Sequence, residues 1–312
     1  MKYRAKHVFE YGLLRTVAFL VCNLPYRVAL GIGWVLAFTA FRLFGFRRTE
    51  TLRRMQLVFG DRFSAAQYRH MAWISCRNMA FNAVDVLRAP RITQAWCNTV
   101  FDCDEAFSIL REHMTTTGKG GILATPHMGC WDLAGTNCSV NDIPTFSIAA
   151  RQRNPLVNAY FDDVRSAPGM ETLSRGESGI LKSVVRYLRS GRVLAILPDA
   201  RMRTPGIEMP LLGGIANLGT GMASFARMTR VPIFPIICTR EGWARHRMRM
   251  LPRVTPDMTL DKQADVQRMT ATILEMFDQE IHAAPEQWFW FNKRWVLDPV
   301  EGPERKTDDS NQ

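Results

Sequence analysis

The residues best suited to chemistry stand in one stretch, Gly121–Ile122–Leu123–Ala124–Thr125–Pro126–His127–Met128–Gly129–Cys130–Trp131–Asp132. A histidine and, five positions later, an aspartate lie where a short apolar run ends at Pro126 and a helix is expected to open after Gly129. Imidazole becomes an effective base when a carboxylate fixes its tautomer and stabilises the imidazolium that forms. His127 is therefore a candidate general base, and Asp132, on the first helical turn, its candidate orienting acid. Gly129 allows a substrate close to the backbone, and the helix start offers N–H groups to a developing oxyanion. A histidine and an aspartate at this spacing also occur together by chance, so the rest of the chain has to decide.

Positioning these side chains calls for a strand that stops at a turn and feeds a helix, the arrangement by which open α/β sheets build sites at their carboxyl edge. The chain supplies such units repeatedly. Ile143–Ala150 reads as a second apolar strand, closed by Arg151–Gln152–Arg153–Asn154–Pro155 and followed by a helix from Leu156 to Ser166. Gly169–Leu173 suits a short strand and Ile180–Ser190 a helix with basic residues on one side. Val193–Leu197 is a third buried strand, ended by Pro198–Asp199, and 201–221, with its glycines and prolines, reads as loop. A small helix over Met222–Met228 and a strand over Val231–Ile237 come next, and the alternating character of Arg245–Leu251 suits an edge strand. Val266, Met269, Ile273, Phe277 and Ile281 recur at helical spacing, and Pro285 stops that helix before the aromatic run Gln287–Trp288–Phe289–Trp290–Phe291. Before the site, 50–90 is helical, with a break at Gly60–Asp61 and Ser64 as a cap. The fold class expected is α/β, a mixed and largely parallel sheet flanked by helices.

The 312 residues suffice for one large α/β domain, and 47% of them are hydrophobic. A net charge of +11 suits phosphorylated ligands, an anionic membrane surface or nucleic acid. Seven scattered cysteines without a Cys-x-x-Cys pair argue for reduced thiols rather than a disulfide framework or a zinc site. Apolar residues dominate from Leu13 to Phe46, interrupted by Arg15, Asn23–Leu24–Pro25, Arg27 and Arg42. The uninterrupted part, Val28–Phe41, is shorter than the ~20 residues of a usual span. The expectation is a membrane anchor over residues 1–48, either a tilted span or an interfacial helical hairpin, with a buried-core segment as the alternative. A catalytic domain over 49–300 and a disordered polar tail over 301–312 complete the expected organisation. By the positive-inside tendency Arg47, Arg48, Arg53 and Arg54 favour the cytoplasmic side for that domain, an asymmetry blunted by Lys2, Arg4 and Lys6.

Taken together, His127–Met–Gly–Cys–Trp–Asp132, Arg151 with Asn154–Pro155–Leu156, Leu197–Pro198–Asp199, Val231–Pro232–Ile233–Phe234–Pro235 and Pro285–Glu286–Gln287–Trp288 resemble one family. It is the bacterial late acyltransferases of lipid A biosynthesis (lauroyl and myristoyl transferases), within the lysophospholipid acyltransferase superfamily. The resemblance runs from Asn23–Leu24–Pro25–Tyr26 to Trp295 and rests on the order and spacing of the motifs. It implies a glycerolipid acyltransferase-like fold and a membrane enzyme that moves a fatty acyl chain from acyl-carrier protein, or coenzyme A, onto a hydroxyl of a lipid A precursor. By the same resemblance no further cofactor is needed, His127 is the base, Asp132 its orienting acid, and Arg151 and Asp199 lie near donor and acceptor. Two departures bear on the acceptor. Asp132 stands where the lipid A enzymes usually carry Glu, whereas glycerolipid and mycobacterial phosphatidylinositol mannoside acyltransferases use Asp. Asn292 stands where the family often has His.

Each residue also has a plainer reading. Arg151 and Arg153 suit either substrate contact or solvated loop charge, and Asp199 either substrate contact or anchorage of the loop that follows. Cys130 suits an acyl-enzyme on sulfur less well than a small core residue. Glu286–Trp290 reads as core or as a membrane-facing aromatic patch. Gly176–Glu177–Ser178–Gly179 is not a nucleophile elbow, which counts against a hydrolase. The arginines are scattered among apolar helices without a recognised module, so nucleic acid is not an expected partner. A catalytically silent membrane protein of the same fold is the remaining non-enzyme reading.

Overall fold

The computed structural model describes residues 3–298. The chain opens with α1 (Ala5–Asn23) and α2 (Tyr26–Phe38), separated at Leu24–Pro25 and followed by a π-helical turn over Thr39–Leu43. Next come α3 (Arg48–Phe59) and the long α4 (Ala65–Arg88), whose start is fixed by a capping box between Ser64 and Gln67. Then follow α5 (Gln94–Val100), β1 (Phe101–Asp102), α6 (Asp104–Thr117), β2 (Ile122–Ala124), α7 (Trp131–Val140), β3 (Thr145–Ala149) and α8 (Pro155–Ser166). The second half adds β4 (Glu171–Ser174), α9 (Ile180–Arg189), β5 (Val193–Ile196), β6 (Ile207–Leu211), β7 (Gly214–Leu218), α10 (Gly221–Thr229), β8 (Ile233–Glu241), β9 (Arg245–Met250) and α11 (Lys262–Ala283).

Seven strands form one sheet in the order β1-β9-β8-β2-β5-β3-β4. Every neighbouring pair is parallel except β8–β9, so the expected mixed, largely parallel α/β sheet is what forms. All three residues of β2 are buried, as a parallel strand covered on both faces requires. Ile122 and Ala124 share a core with α9, α10 and α11, whereas Leu123 shares one with α6 and α7. The stripe predicted on the last helix is real: Val266, Met269, Ile273, Phe277 and Ile281 all enter the core.

Two local expectations change. Residues 201–221 are not all loop, because β6 and β7 pair as an antiparallel hairpin. Its turn is Leu212–Gly213, both with positive φ (52° and 74°), the geometry a two-residue hairpin favours. The strand β9 is not at the sheet edge, since two residues of β1 pair along its outer side. The expected tail over 301–312 lies outside the described residues.

One face of α1 and α2 packs on α4 through Ala18, Val21, Ala29, Leu30, Phe81, Val84 and Leu87. The other face stays apolar and exposed, with Phe9, Leu13, Phe19, Val35 and Leu36 uncovered, and Phe44 after the π turn is 81% exposed. The helical stretch Tyr26–Leu43 is apolar and long enough to cross a membrane by length and composition alone.

Candidate active site

Register brings the site together. Ala124 of β2 lies opposite Ile196 of β5, and three residues beyond each stand His127 and Asp199. Two residues 72 apart in sequence thus leave the sheet side by side at its carboxyl edge. The Nδ1 of His127 lies 2.7 Å from Asp199 Oδ1, and the backbone N–H of His127 donates to Asp199 Oδ2 at 2.8 Å. Trp288 donates its indole N–H to the same Oδ2 at 2.9 Å. The Asp199 side chain is wholly buried, whereas a quarter of the His127 side chain is exposed.

Burial by itself would raise the Asp199 carboxyl. His127, through its charge and hydrogen bond, and Trp288 outweigh that and hold Asp199 below the usual carboxylate range. Burial would likewise lower the His127 imidazole, but the Asp199 charge and hydrogen bond, with a smaller effect of Asp132, raise it above its ordinary value. With Nδ1 engaged by Asp199, Nε2 is the nitrogen left to exchange a proton with a substrate.

Asp132 occupies the second position of α7 and is half-buried. Burial pushes its carboxyl up, opposed by Arg165 of α8 and by His127. Among the described residues the hydrogen bond of the His127 ring goes to Asp199 and not to Asp132, which acts on the ring only through its charge. The orienting position that spacing suggested for Asp132 is thus taken geometrically by Asp199. The carboxylate five residues on, past a turn and into α7, makes no hydrogen bond to the ring, whereas the one just beyond the end of the adjacent strand does.

Gly129 adopts φ +58°, and a Cβ there would lie 1.9 Å from the Cys238 carbonyl oxygen, so only glycine fits. Its N–H donates to the Gln287 carbonyl at 2.8 Å and its carbonyl accepts from Asn82 Nδ2 at 2.5 Å. Both polar groups of Gly129 are committed, so its N–H does not serve as an oxyanion donor. Asn82 is held in turn by the buried Arg240, which pairs with Asp85, and Asp85 accepts from the Tyr26 hydroxyl at 2.8 Å.

Arg151 and Arg153 are exposed on the loop after β3, with β5 between that strand and β2. Arg151 comes within 3.9 Å of Glu177. The Asn154–Pro155 pair that accompanies them has a local purpose. Asn154 caps α8, Pro155 fills its first turn, and Asn154 Nδ2 bonds Glu10 of α1 at 2.9 Å. Cys130 is buried with its Sγ 3.0 Å from that of Cys238, and burial pushes its thiol well above the ordinary value.

Sequence reasoning read Gln287 and Trp288 as core or membrane-facing residues rather than site residues, and passed over Asn82 and Arg240. A glutamine opening an aromatic run, and Asn82 with Asp85 on the apolar face of α4, were the available signals, because buried polar groups need partners. Trp131 packs edge-on to His127, with ring centres 5.3 Å apart.

The family model for bacterial lipid A biosynthesis acyltransferases matches residues 2–296. A phosphatidylinositol mannoside acyltransferase of Mycolicibacterium smegmatis is 26% identical over 64% of this chain and 62% of its own length. One from Mycobacterium tuberculosis is 30% identical over 59% of this chain and 57% of its own. These alignments span about three fifths of the relatives concerned. The lipid A biosynthesis lauroyltransferase of Escherichia coli is 22% identical over 93% of this chain and 92% of its own. With the model matched along nearly all of its length, the chain belongs to the bacterial lipid A biosynthesis acyltransferase family.

Proposed function

We propose that this protein is a membrane-associated acyltransferase that moves a fatty acyl chain from a thioester donor to a hydroxyl of a glycolipid. The observation that carries the reading is the His127–Asp199 pair, its carboxylate wholly buried, at the carboxyl ends of adjacent parallel strands. In the mechanism we infer, His127 Nε2 takes the proton of the acceptor hydroxyl as its oxygen attacks the thioester carbonyl. Asp199 holds the ring in the required tautomer and stabilises the imidazolium. The tetrahedral intermediate collapses by breaking the carbon–sulfur bond, and the departing thiolate takes the proton back from His127. First-turn N–H groups of α7, which lack carbonyl partners within the helix, suit the oxyanion. The steps require neither a metal nor a redox cofactor.

The donor we propose is acyl-carrier protein or coenzyme A loaded with the acyl chain, and the acceptor a lipid A precursor. Arg151 and Arg153 are proposed to meet anionic groups of donor or acceptor from the same edge of the sheet. The exposed apolar face of α1 and α2 supports attachment to a membrane, which we propose is the bacterial inner membrane with the catalytic domain on its cytoplasmic face. A phosphatidylinositol mannoside acceptor is the second reading, favoured by the higher identity to those relatives than to the lauroyltransferase.

The test incubates the detergent-solubilised protein and its His127→Ala variant with acyl-carrier-protein and coenzyme A thioesters. Acceptors are a tetraacylated Kdo-lipid A precursor, a phosphatidylinositol mannoside and a lysophospholipid, and products are read by mass spectrometry. A His127-dependent mass gain on the first supports the lipid A reading, and on the second the alternative. Gain only on the lysophospholipid overturns a glycolipid acceptor, and undiminished turnover by folded His127→Ala overturns the mechanism.

A further inference from the structure

We infer that Trp288 is a positioning residue for this reaction, the third member of a Trp288–Asp199–His127 chain, carried on a C-terminal strap that locks the site loop in register. The inference rests on the general-base reading of His127 given above.

Asp199 has two carboxylate oxygens and receives three donors, one on Oδ1 and two on Oδ2. An indole has one polar hydrogen, and in Trp288, which is 4% exposed, that hydrogen goes to the carboxylate. The neighbouring Trp290 shows what an ordinary buried indole does in the same cluster: it donates to a backbone carbonyl, that of Pro285, at 2.7 Å. A neutral donor spent on a wholly buried carboxylate fixes the plane of that carboxylate. It thereby aims Oδ1 at His127 Nδ1.

The strap reaches the same residues through the backbone. Phe289 donates its N–H to the His127 carbonyl at 2.8 Å, Gly129 donates to the Gln287 carbonyl at 2.8 Å, and Met128 bridges antiparallel to Trp288. The strap is itself pinned from two sides. Ser75 of α4 donates its hydroxyl to the Trp288 carbonyl at 2.7 Å. The Gln287 side chain accepts from the Arg240 N–H at 3.1 Å and donates to the Arg240 carbonyl at 3.2 Å on β8. His127, Gly129 and Asp199 are thus all held by three consecutive residues that follow α11.

The indole N–H also spreads the negative charge of Asp199. Without it the carboxylate holds the imidazolium proton more tightly, and His127 reaches its neutral, basic form only at higher pH. Among the described residues the other ionisable groups that act on the pair are Asp132 on α7 and, beyond it, Arg165 on α8 and Asp85 on α4, and a substitution at position 288 alters none of them.

The experiment compares Trp288→Phe, which keeps an aromatic ring and removes the donor, with Trp290→Phe, which removes an indole that does not reach Asp199. Trp288→Phe is expected to lower kcat about 10-fold with KM nearly unchanged and to move the acid limb of the pH profile upward. Trp290→Phe is expected to lower Tm while leaving that limb in place. Wild-type kcat in Trp288→Phe, or a loss with no movement of the limb, overturns the inference. A second measurement covers failure of the variant to fold and needs no turnover. In 15N-labelled protein in detergent, one indole N–H resonance should shift with pH in step with the His127 ring, and stop doing so in His127→Ala. Indole resonances that stay flat through the imidazole titration overturn the inference, whatever the substrate proves to be.

Discussion

Replacing Asp199 by asparagine preserves the volume of the side chain and changes what its two terminal atoms can do. In the wild type both are acceptors, facing the His127 ring on one side and the His127 and Trp288 N–H groups on the other. Asparagine has one acceptor and one donor. If its oxygen keeps the two N–H groups, its NH2 faces Nδ1, and the ring must place its hydrogen on Nε2. That tautomer has no lone pair for the acceptor hydroxyl. If the amide is turned the other way, two N–H donors meet an NH2 group in a wholly buried position, at a cost of several kcal/mol. Either arrangement removes the base, so kcat/KM is expected to fall by ~10² to 10⁴, or about 2.7 to 5.4 kcal/mol of transition-state stabilisation. The assay is steady-state acyl transfer at saturating acceptor, with circular dichroism and thermal melting to establish that the variant is folded. Asp132→Asn is the comparison. It removes a charge near the ring but no ring hydrogen bond, and about a 10-fold loss is expected. A folded Asp199→Asn with more than a tenth of wild-type activity refutes the assignment. An equal or larger loss from Asp132→Asn returns the orienting role to Asp132.

Because Asp199 raises the His127 imidazole, the base is neutral only above the ordinary imidazole value of ~6.5. The acid limb of log kcat/KM should therefore have its midpoint above that value, activity falling as pH drops through it; a midpoint below ~6 contradicts the pair. Cys130→Ser should retain most of the turnover, since burial keeps the Cys130 thiol protonated and a thiolate is what attacks an acyl group; loss of activity in the folded variant revives an acyl-enzyme. Gly129→Ala combines a left-handed backbone with a Cβ 1.9 Å from a carbonyl oxygen and should lower Tm by several degrees, read by scanning fluorimetry. Phe9, Leu13 and Phe19, exposed on α1, changed together to Ser should move the protein from the membrane pellet toward the supernatant after fractionation, and unchanged pelleting counts against α1 as part of the attachment surface.

Much of the fold was legible because parallel strands covered on both faces appear as short apolar runs closed by proline or glycine. Val193–Leu197 before Pro198 and Ile122–Ala124 before Pro126 are of this kind. The helix after Asn154–Pro155 was legible for the same local reason, a side chain that caps and a proline that fits the first turn. The hairpin at 207–218 was not. Its turn depends on a leucine holding positive φ, for which composition gives no signal, and Leu212 is kept there by its N–H bond to Asp278 of α11 at 2.6 Å.

Residue types, order and spacing were enough to determine an α/β chain with an apolar start and a histidine poised at a strand end, along with the family motifs around it. Which carboxylate partners that histidine was decided only by the tertiary structure. The register of β2 against β5 brings Asp199 alongside from 72 residues away. The strap after α11 then delivers Trp288 to the far oxygen from a further 89. Parallel strands need long crossovers, so the partners across them are distant in sequence, and no local pattern encodes which strand end will lie beside which. The same limit concealed the hold on Gly129, whose two backbone bonds go to Asn82 of α4 and to Gln287 after α11.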